Sequence, residues 1–475
     1  MSYISLEDVD RPSKVLEGMR AAHNADPAPT YEVRKARLDR LEKALNEYAD
    51  RLVEAMQQDF SHRSQAECDN FDVTASIGDV RNAKRHLKKW MKTRNPGVPK
   101  HLMPAKARVA PQPLGVIGII SPWNFPVFLA IGPMAAALAA GNRVMLKPSE
   151  LSPRTSEVMT EMLHKAFEAD EVRVFNGGPE VASKFSELPF DHLLFTGSTS
   201  IGRKVAAAAA PNLTPVTLEL GGKSPAIITP SANMDRAAER IAFGKTANAG
   251  QICVAPDYAL VPRDKVETFL EKVQEKMRSF YPTFAGNKDY TAMITDRHLS
   301  RARGLIANAE ENGARVIRLE EEGKGDPNVR QLAPAIVVDP PLETQVMQEE
   351  IFGPVLAVIP YDDAETARRF VMERDRPLAL YIFGENADEV SFWRDGSISG
   401  GVCVNEVLFH VACDTLPFGG VGPSGMGSYH GDQGFETFSH MKPIFIQSKL
   451  NGASMFNPPF TEFKAKMGRI FRKII

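Results

Sequence analysis

Cysteine is scarce in this chain, and long uninterrupted apolar runs are missing. Only four of the 475 residues are cysteine, and no two of them stand at the spacing of a zinc-ligand pair. Sparse cysteine is typical of a reducing compartment, so we expect a cytoplasmic protein. The first residues lack the apolar core of a signal peptide, and no apolar run reaches the roughly 18 residues of a membrane-spanning helix.

The chain also lacks a strong charge of either sign. The formal net charge is −2, with 24% charged and 43% hydrophobic residues, which is ordinary for a soluble globular protein. No overall field therefore draws the chain toward nucleic acid or an anionic membrane. The length predicts two or three domains, because one domain averages roughly 150 residues.

Short apolar runs alternate with helical patterns over much of the sequence. The runs end at Gly, Pro or Asn and lie at 114–120, 142–148, 172–177, 191–197, 216–222 and 224–230. Strands that alternate with helices predict an α/β fold with parallel sheets covered by helices. The alternation resumes after residue 235 and predicts a second α/β domain. In the apolar stretch 116–141, Pro122, Asn124 and Pro126 predict a buried strand, a turn and a helix.

Two turns have the composition of nucleotide contacts. The glycine turn 195–204 follows an apolar run and begins a helix, but it matches neither the Walker A motif nor G-x-G-x-x-G. It is either a phosphate site or a turn that lets a helix pack. Lys147 and Glu150 follow another predicted strand, where ligands bind in such sheets. They are either ribose contacts or a surface ion pair.

Three further residues have the chemistry of covalent catalysis. Cys253 stands among small and amide residues, Glu219 ends an apolar run, and Asn124 lies in a turn. A thiolate nucleophile, a poorly solvated carboxylate base and an amide donor to an oxyanion form such a set. Each residue alone also has an ordinary structural explanation, as a buried cysteine, an ion-paired glutamate or a turn asparagine.

The order of seven motifs resembles the aldehyde dehydrogenase superfamily over about residues 30–445. They are PWNFP, LKPSE, FTGSTSIG, LELGGKSP, GQICVAPDY, EEIFGPV and LPFGGVGPSGMGSYHG. The forms that these motifs take in this sequence are similar to those of the class 3 and fatty-aldehyde branch, and most similar to those of the bacterial coniferyl-aldehyde dehydrogenases. The resemblance implies a variant Rossmann cofactor domain, a catalytic domain and a small β bridging segment.

The resemblance also implies catalytic roles. Cys253 matches the nucleophile that forms a thiohemiacetal with the aldehyde, and Asn124 with the Cys253 backbone N–H matches the oxyanion hole. Hydride transfer to the nicotinamide leaves a thioester, and Glu219 matches the base that activates water to hydrolyse it.

The implied cofactor is NAD, with NADP used more weakly. Lys147 and Glu150 match contacts to the adenosine ribose, where the Glu150 carboxylate would repel a 2′-phosphate. The other matching positions are Pro122, Trp123, Gly197 and Ser198 around the nucleotide, and Glu350 and Phe352 at the nicotinamide ribose and ring.

The family organisation implies boundaries and an assembly. We expect an NAD-binding domain at 1–85 and 104–219, a catalytic domain at 220–400, a bridging segment at 86–103 and 401–445, and a C-terminal extension at 446–475. Class 3 relatives imply a homodimer.

The substrate is less constrained by the sequence. Leu408, Phe409 and His410 favour a bulky apolar or aromatic aldehyde, such as coniferaldehyde, and we expect no metal at His410 and Cys413 because two ligands are too few. The alternatives are a fatty or general aliphatic aldehyde dehydrogenase, a CoA-acylating enzyme and a cysteine hydrolase. Glu219 argues against the CoA-acylating enzyme, and a hydrolase needs an activating histidine that no local pattern indicates.

The end of the chain is basic and amphipathic. Its apolar residues fall at helical spacing and are Phe460, Phe463, Met467, Ile470, Phe471 and Ile474. We expect this face to pack on the enzyme or on a dimer partner. Peripheral membrane contact is the alternative, since the segment is too short and too charged to span a bilayer.

Overall fold

A computed structural model of the chain describes residues 6–321 and 323–472. Its α-helices are α1 Leu6–Ala25, α2 Tyr31–Asp59, α3 Gln65–Glu67, α4 Ala75–Trp90, α5 Phe128–Ala139, α6 Pro153–Ala166, α7 Pro179–Ser186, α8 Thr199–Ala209, α9 Met234–Thr246, α10 Val266–Phe280, α11 Asp296–Glu311, α12 Gln345–Gln348, α13 Ala364–Met372, α14 Ala387–Gly396, α15 Gly431–Thr437 and α16 Glu462–Phe471. Its strands are β1 Lys106–Pro113, β2 Val116–Ile120, β3 Arg143–Lys147, β4 Val172–Val174, β5 His192–Gly197, β6 Val216–Leu220, β7 Pro225–Ile228, β8 Tyr258–Pro262, β9 Arg315–Arg318, β10 Ala335–Val338, β11 Val355–Tyr361, β12 Ala379–Phe383, β13 Gly401–Val404, β14 Gly425–Met426 and β15 Ser439–Ile446.

The first sheet has six strands in the order β14-β6-β5-β2-β3-β4, all parallel except the short β14. The chain runs from β2 outward through β3 and β4, then returns to the other side of β2 to form β5 and β6. The sheet therefore has its switch point between β2 and β5, and ligands bind at the carboxyl ends of strands beside such a point.

The second sheet has seven strands in the order β13-β12-β7-β8-β11-β10-β9. Only β9 runs antiparallel to its neighbour β10. One contiguous set of buried side chains includes residues of both large sheets, among them Leu146 of β3 and Val358 of β11. The α/β fold class with two parallel-sheet domains is confirmed.

The third sheet is a two-stranded antiparallel ribbon of β1 and β15, in which Lys106 pairs with Ile446 and Pro113 with Ser439. The first strand of this ribbon begins just after residues 86–103, which were expected to be part of the bridging segment. The other expected part, residues 401–445, includes β13, which lies in the second sheet. The proposed regions at 1–85, 104–219, 220–400 and 401–445 stay predictions.

Local features of the sequence, such as the spacing of apolar residues and the turn residues, explain several of the helices and strands. In α2 the leucines and Met56 recur at helical spacing and are all buried, so they form the face that packs on the core. The stretch 116–141 forms β2, a turn with Asn124 and α5, whose residues after Phe128 are all buried. No helix among the described residues is both long enough and apolar enough to cross a bilayer.

The tail forms a helix, α16, capped by the Thr461 hydroxyl, which accepts from the Lys464 backbone N–H. Phe460 and Phe463 are 72% and 66% exposed, so their rings are not covered by the rest of this chain. Of the expected apolar face, Ile474 lies outside the described residues, as does the Phe471 side chain.

Candidate active site

The loop that carries Cys253 turns back sharply after α9. Asn248, Ala249 and Gly250 have φ of 48°, 52° and 70°, all in the left-handed region. A Cβ on Gly250 would lie 2.3 Å from the backbone oxygen of Gly353, so glycine is required there. This close approach holds the cysteine loop against the segment that bears Glu350 and Phe352.

A buried amide cluster joins this loop to the turn after β2. Asn124 donates from Nδ2 to the backbone oxygen of Gln251 at 3.1 Å. Asn248 donates from Nδ2 to the backbone oxygens of Asn124 and Gln251 at 3.1 and 3.2 Å. Because an amide NH₂ has two hydrogens, Asn124 is oriented by one and keeps the other for a ligand.

Glu67 fixes the loop from the opposite side. Its two carboxylate oxygens accept from the Asn248 backbone N–H at 2.9 Å and from the Thr291 hydroxyl at 2.5 Å. Sequence reasoning missed Glu67, since it is separated from Cys253 by most of the first domain and lies in no motif. The only available signal was an acidic residue beside a short helix, which is common on protein surfaces.

Two buried carboxyl groups lie near the Cys253 thiol. Glu219 is 2% exposed, and neither of its side-chain oxygens has a hydrogen-bond partner among the described residues. Burial raises the Glu219 pKa well above its ordinary value. Burial also raises the pKa of Glu350 to about 8, with the nearby Asp257 charge adding to the effect.

The thiol itself is held in its protonated form. Burial, followed by the negative charges of Glu350 and Glu219, raises the pKa of Cys253 to about 12. The side chain is half-buried and lines a cavity, so the sulfur is reachable although the site disfavours its charge.

The predicted nucleotide contacts meet at one edge of the first sheet. Pro122 and Trp123 follow β2, Lys147 ends β3, and Gly197 ends β5, with Ser198 directly before the first residue of α8. The three strands are adjacent and parallel, which brings residues far apart in sequence together.

At this edge of the first sheet, contacts between the side chains hold them in place. The buried Lys147 donates from Nζ to Oε2 of Glu150 at 3.2 Å, while Glu150 is itself exposed. The Trp123 and Phe352 rings meet edge to face, with centroids 5.5 Å apart. Phe352 has a left-handed φ of 46°, which turns the Glu350–Phe352 segment toward the sheet edge.

Glu350 has the features of a ligand-binding carboxylate. Its Oε1 is buried without a hydrogen-bond partner among the described residues. A Cβ on Gly221 would lie 2.0 Å from Glu350 Oε2, so the glycine makes room for the carboxyl. An unpaired acceptor beside this sheet edge suits a ribose hydroxyl, which is the fit that a dinucleotide requires.

A cavity of about 370 Å³ reaches Cys253 from the other side. Its walls are mainly apolar and include six phenylalanines, which are Phe71, Phe125, Phe128, Phe243, Phe409 and Phe418. The expected residues Leu408 and Phe409 line it, but His410 is not among the described lining residues. His410 lies behind the wall, where its ring packs on Tyr381 and Phe418 and Nδ1 is 3.2 Å from Cys403 Sγ.

Two acids also line this apolar cavity, Asp79 of α4 and Asp414. Neither was singled out in the sequence. Asp79 lies in a helix whose pattern is that of an ordinary half-buried helix, and Asp414 comes directly after Cys413.

The edge of the first sheet, which suits a dinucleotide, and the apolar cavity with its phenylalanines thus meet at Cys253, whose side chain is half-buried. The aldehyde dehydrogenase family model matches residues 4–444. The chain belongs to the aldehyde dehydrogenase family, and it is an NAD(P)-binding oxidoreductase that acts on aldehydes.

Individual relatives and solved structures are similar to this chain over most of its length. A "probable coniferyl aldehyde dehydrogenase" of Pseudomonas aeruginosa is 48% identical over 456 residues, which are 96% of this chain and 95% of that protein. A substrate-bound structure of Staphylococcus aureus AldH has a TM-score of 0.91 at 35% identity, covering 96% of this chain and 98% of that one. A Mycobacterium tuberculosis aldehyde dehydrogenase complexed with NAD⁺ has a TM-score of 0.82 at 28% identity, covering 94% and 91%.

Proposed function

We propose that the enzyme oxidises an aromatic aldehyde of the coniferaldehyde type to its carboxylic acid with NAD. The observation that carries this proposal is the cavity of about 370 Å³, which reaches Cys253 and has six phenylalanines in its mainly apolar walls. Such walls suit a flat aromatic substrate, because ring–ring contacts add to the gain from burying apolar surface. The similarity to a probable coniferyl aldehyde dehydrogenase supports the same substrate class.

The first half of the reaction assigns roles to Cys253 and Asn124. The Cys253 thiol loses its proton to solvent as its sulfur attacks the carbonyl carbon, and the developing oxyanion accepts hydrogen bonds from Asn124 Nδ2 and the Cys253 backbone N–H. The hydrogen bond from Asn124 to the Gln251 carbonyl preorganises the amide, so little reorganisation is needed as charge develops. NAD(P), when bound, would supply the hydride acceptor, and loss of hydride from the carbonyl carbon gives a thioester on Cys253.

The second half of the reaction depends on Glu219. Its carboxylate takes a proton from a water molecule, whose oxygen then attacks the thioester carbonyl and releases the acid and the Cys253 thiol. The lack of hydrogen-bond partners at both Glu219 oxygens supports this role, since the group is free to bind water. The same residue argues against a CoA-acylating enzyme, in which CoA would replace water.

The dinucleotide would be held by the sheet edge already described. Lys147 and Glu150 would bind the adenosine ribose, Gly197 and Ser198 the pyrophosphate, and Glu350 the nicotinamide ribose. Pro122, Trp123 and Phe352 would pack beside the bound nucleotide.

The substrate proposal is tested by comparing kcat/KM for coniferaldehyde, benzaldehyde, hexanal, a long-chain aldehyde and succinic semialdehyde. We expect coniferaldehyde to have the highest value. A higher value for the aliphatic aldehydes would favour the fatty-aldehyde alternative, which the same apolar cavity also suits. Product formation with free CoA would distinguish the acyl-transfer reaction from hydrolysis.

We propose a moderate preference for NAD over NADP, set by Glu150. Its carboxylate would repel a 2′-phosphate, while Lys147, at 3.2 Å from Glu150, partly offsets that repulsion. Glu150→Gln is expected to raise the NADP-to-NAD ratio of kcat/KM by about tenfold, the effect of one screened charge at close range. Glu157→Gln, on the nearby α6, is the matched control. An unchanged ratio in Glu150→Gln would remove this residue from the 2′ position.

We propose that the enzyme is a homodimer and that the tail packs on the partner. Phe445 of β15 and Phe460 and Phe463 of the tail are exposed apolar rings that a second copy would cover. Removing residues 460–475 is expected to lower the melting temperature or shift sedimentation toward the monomer. If the shortened enzyme keeps its stability and subunit number but loses salt-sensitive binding to anionic liposomes, the tail contacts membranes instead.

A further inference from the structure

The two acids in the substrate cavity have no role in the reaction steps above. Asp79 and Asp414 line the same cavity as Cys253, among apolar side chains and the single amide side chain of Asn70. No side chain or backbone group of the described residues forms a hydrogen bond or ion pair with either carboxyl. Both side chains are half-buried, and carboxyl groups that are partly removed from water are normally paired, because leaving them unpaired costs free energy.

The fold makes specific room for Asp79. The residue lies on α4, which packs against α5. A Cβ on Gly132 of α5 would lie 2.7 Å from Asp79 Oδ2, so the absence of a side chain at 132 creates the space that the carboxyl occupies. The carboxyl therefore has a defined position at the cavity wall.

The two acids influence each other. Burial raises the pKa of Asp79 to about 7, and the Asp414 charge adds to the effect. Burial also raises the pKa of Asp414, which the positive charges of His86 and Arg85 lower. No lysine or arginine is among the described residues that line the cavity, so the acids are not positioned to balance a fixed cation there.

We propose that Asp79, with Asp414 beside it, determines specificity by accepting a hydrogen bond from a hydroxyl group on the aromatic ring of the aldehyde. This inference rests on the proposed oxidation of aromatic aldehydes. A phenolic hydroxyl supplies a hydrogen-bond donor to these carboxyls, while the ring packs against the phenylalanines of the wall. A site built to bond a substrate hydroxyl discriminates strongly against the analogue that lacks it, because the acid is then left unpaired.

The test compares para-hydroxycinnamaldehyde with cinnamaldehyde, which differ only in the ring hydroxyl. The wild-type enzyme is expected to have the higher kcat/KM for the hydroxylated aldehyde. Asp79→Ala should lower the ratio of the two kcat/KM values by roughly 10- to 100-fold, the range for a hydrogen bond to a charged group. Asp79→Asn, which keeps an acceptor oxygen, should retain part of the preference. Asp69→Ala, an acid that is not among the lining residues, is the matched control and should leave the ratio within about twofold.

A binding measurement separates recognition from catalysis and folding. Calorimetry with para-hydroxycinnamyl alcohol should give a Kd that Asp79→Ala raises by the same roughly 10- to 100-fold, whereas the Kd of cinnamyl alcohol should change far less. Equal losses for both ligands would show a structural role and overturn the inference, as would a wild-type enzyme with no preference for the hydroxyl. If the kcat/KM values of the aromatic aldehydes are instead well below that of hexanal, the proposed function itself is overturned.

Discussion

Replacing Cys253 by alanine is expected to abolish both the first turnover and steady-state aldehyde oxidation. The reason is geometric: among the described residues that line the cavity, Cys253 has the only thiol. Cys403 is buried beside His410, and Cys68 is fully buried in the core, so neither can replace it. Rapid-mixing measurement of NADH formation, with enzyme in excess over aldehyde, tests this directly.

The protonated state of the thiol gives a second measurement. With a pKa raised to about 12, the thiolate of Cys253 is a minor species at neutral pH and grows roughly tenfold per pH unit. The alkylation rate of the cofactor-free enzyme should therefore rise steadily between about pH 7 and pH 9 without a plateau. Subtracting the labelling of Cys253→Ala removes the contribution of Cys413, which is half-buried. A burst of NADH that survives in Cys253→Ala would identify another nucleophile.

Glu219→Gln is expected to uncouple the two halves of the reaction. The variant should still give a single burst of NADH, since hydride transfer precedes hydrolysis of the thioester. Steady-state turnover should fall by roughly 10²- to 10⁴-fold, the usual contribution of a positioned general base. Glutamine has nearly the same shape as glutamate, so the β6–β14 pairing around this residue should be retained. Turnover equal to that of the wild type would remove Glu219 from the mechanism.

The pH dependence of hydrolysis follows from the same buried carboxyl. A base acts only when it is deprotonated, and burial raises the Glu219 pKa well above its ordinary value. Thioester hydrolysis should therefore accelerate as pH rises from acidic toward neutral values, where a normal glutamate would already be fully ionised. Glu219→Gln should lose this dependence. Single-turnover measurement of acid release across that pH range distinguishes the wild-type enzyme from Glu219→Gln. The melting temperature of each protein serves as a check on folding.

The places of the motif residues in the fold were predictable because those places depend on local sequence. Lys147 and Gly197 end short apolar strands, and parallel strands place such ends at one edge whatever the rest of the chain does. Cys253 and Glu219 were found by their composition and by the family motifs. These signals are short in sequence, so one chain was enough to find them.

The substrate cavity could not be assembled in the same way. Phe71 and Asp79 come from one side of it, Phe243 from α9, and Phe418 from a loop near the end of the chain. Their proximity is set by the packing of α4 on α5 and by the course of the loop after β13, neither of which has a local signature. His410 shows the same limit, since a segment can be placed at a cavity while the direction of each side chain depends on tertiary packing.

The short strand β14 has a consequence for how the enzyme is made. Gly425 pairs with Glu219, and the Leu220 backbone N–H donates to Ser424, although about 200 residues separate the partners. During synthesis the first sheet can form early, since its other strands are complete by Leu220. Its edge beside Glu219 stays open until Gly425–Met426 leaves the ribosome. A nascent or prematurely terminated chain can therefore pair the other five strands of the first sheet while Glu219 still lacks its β14 neighbour, and the surroundings of this residue are completed only when translation is nearly finished.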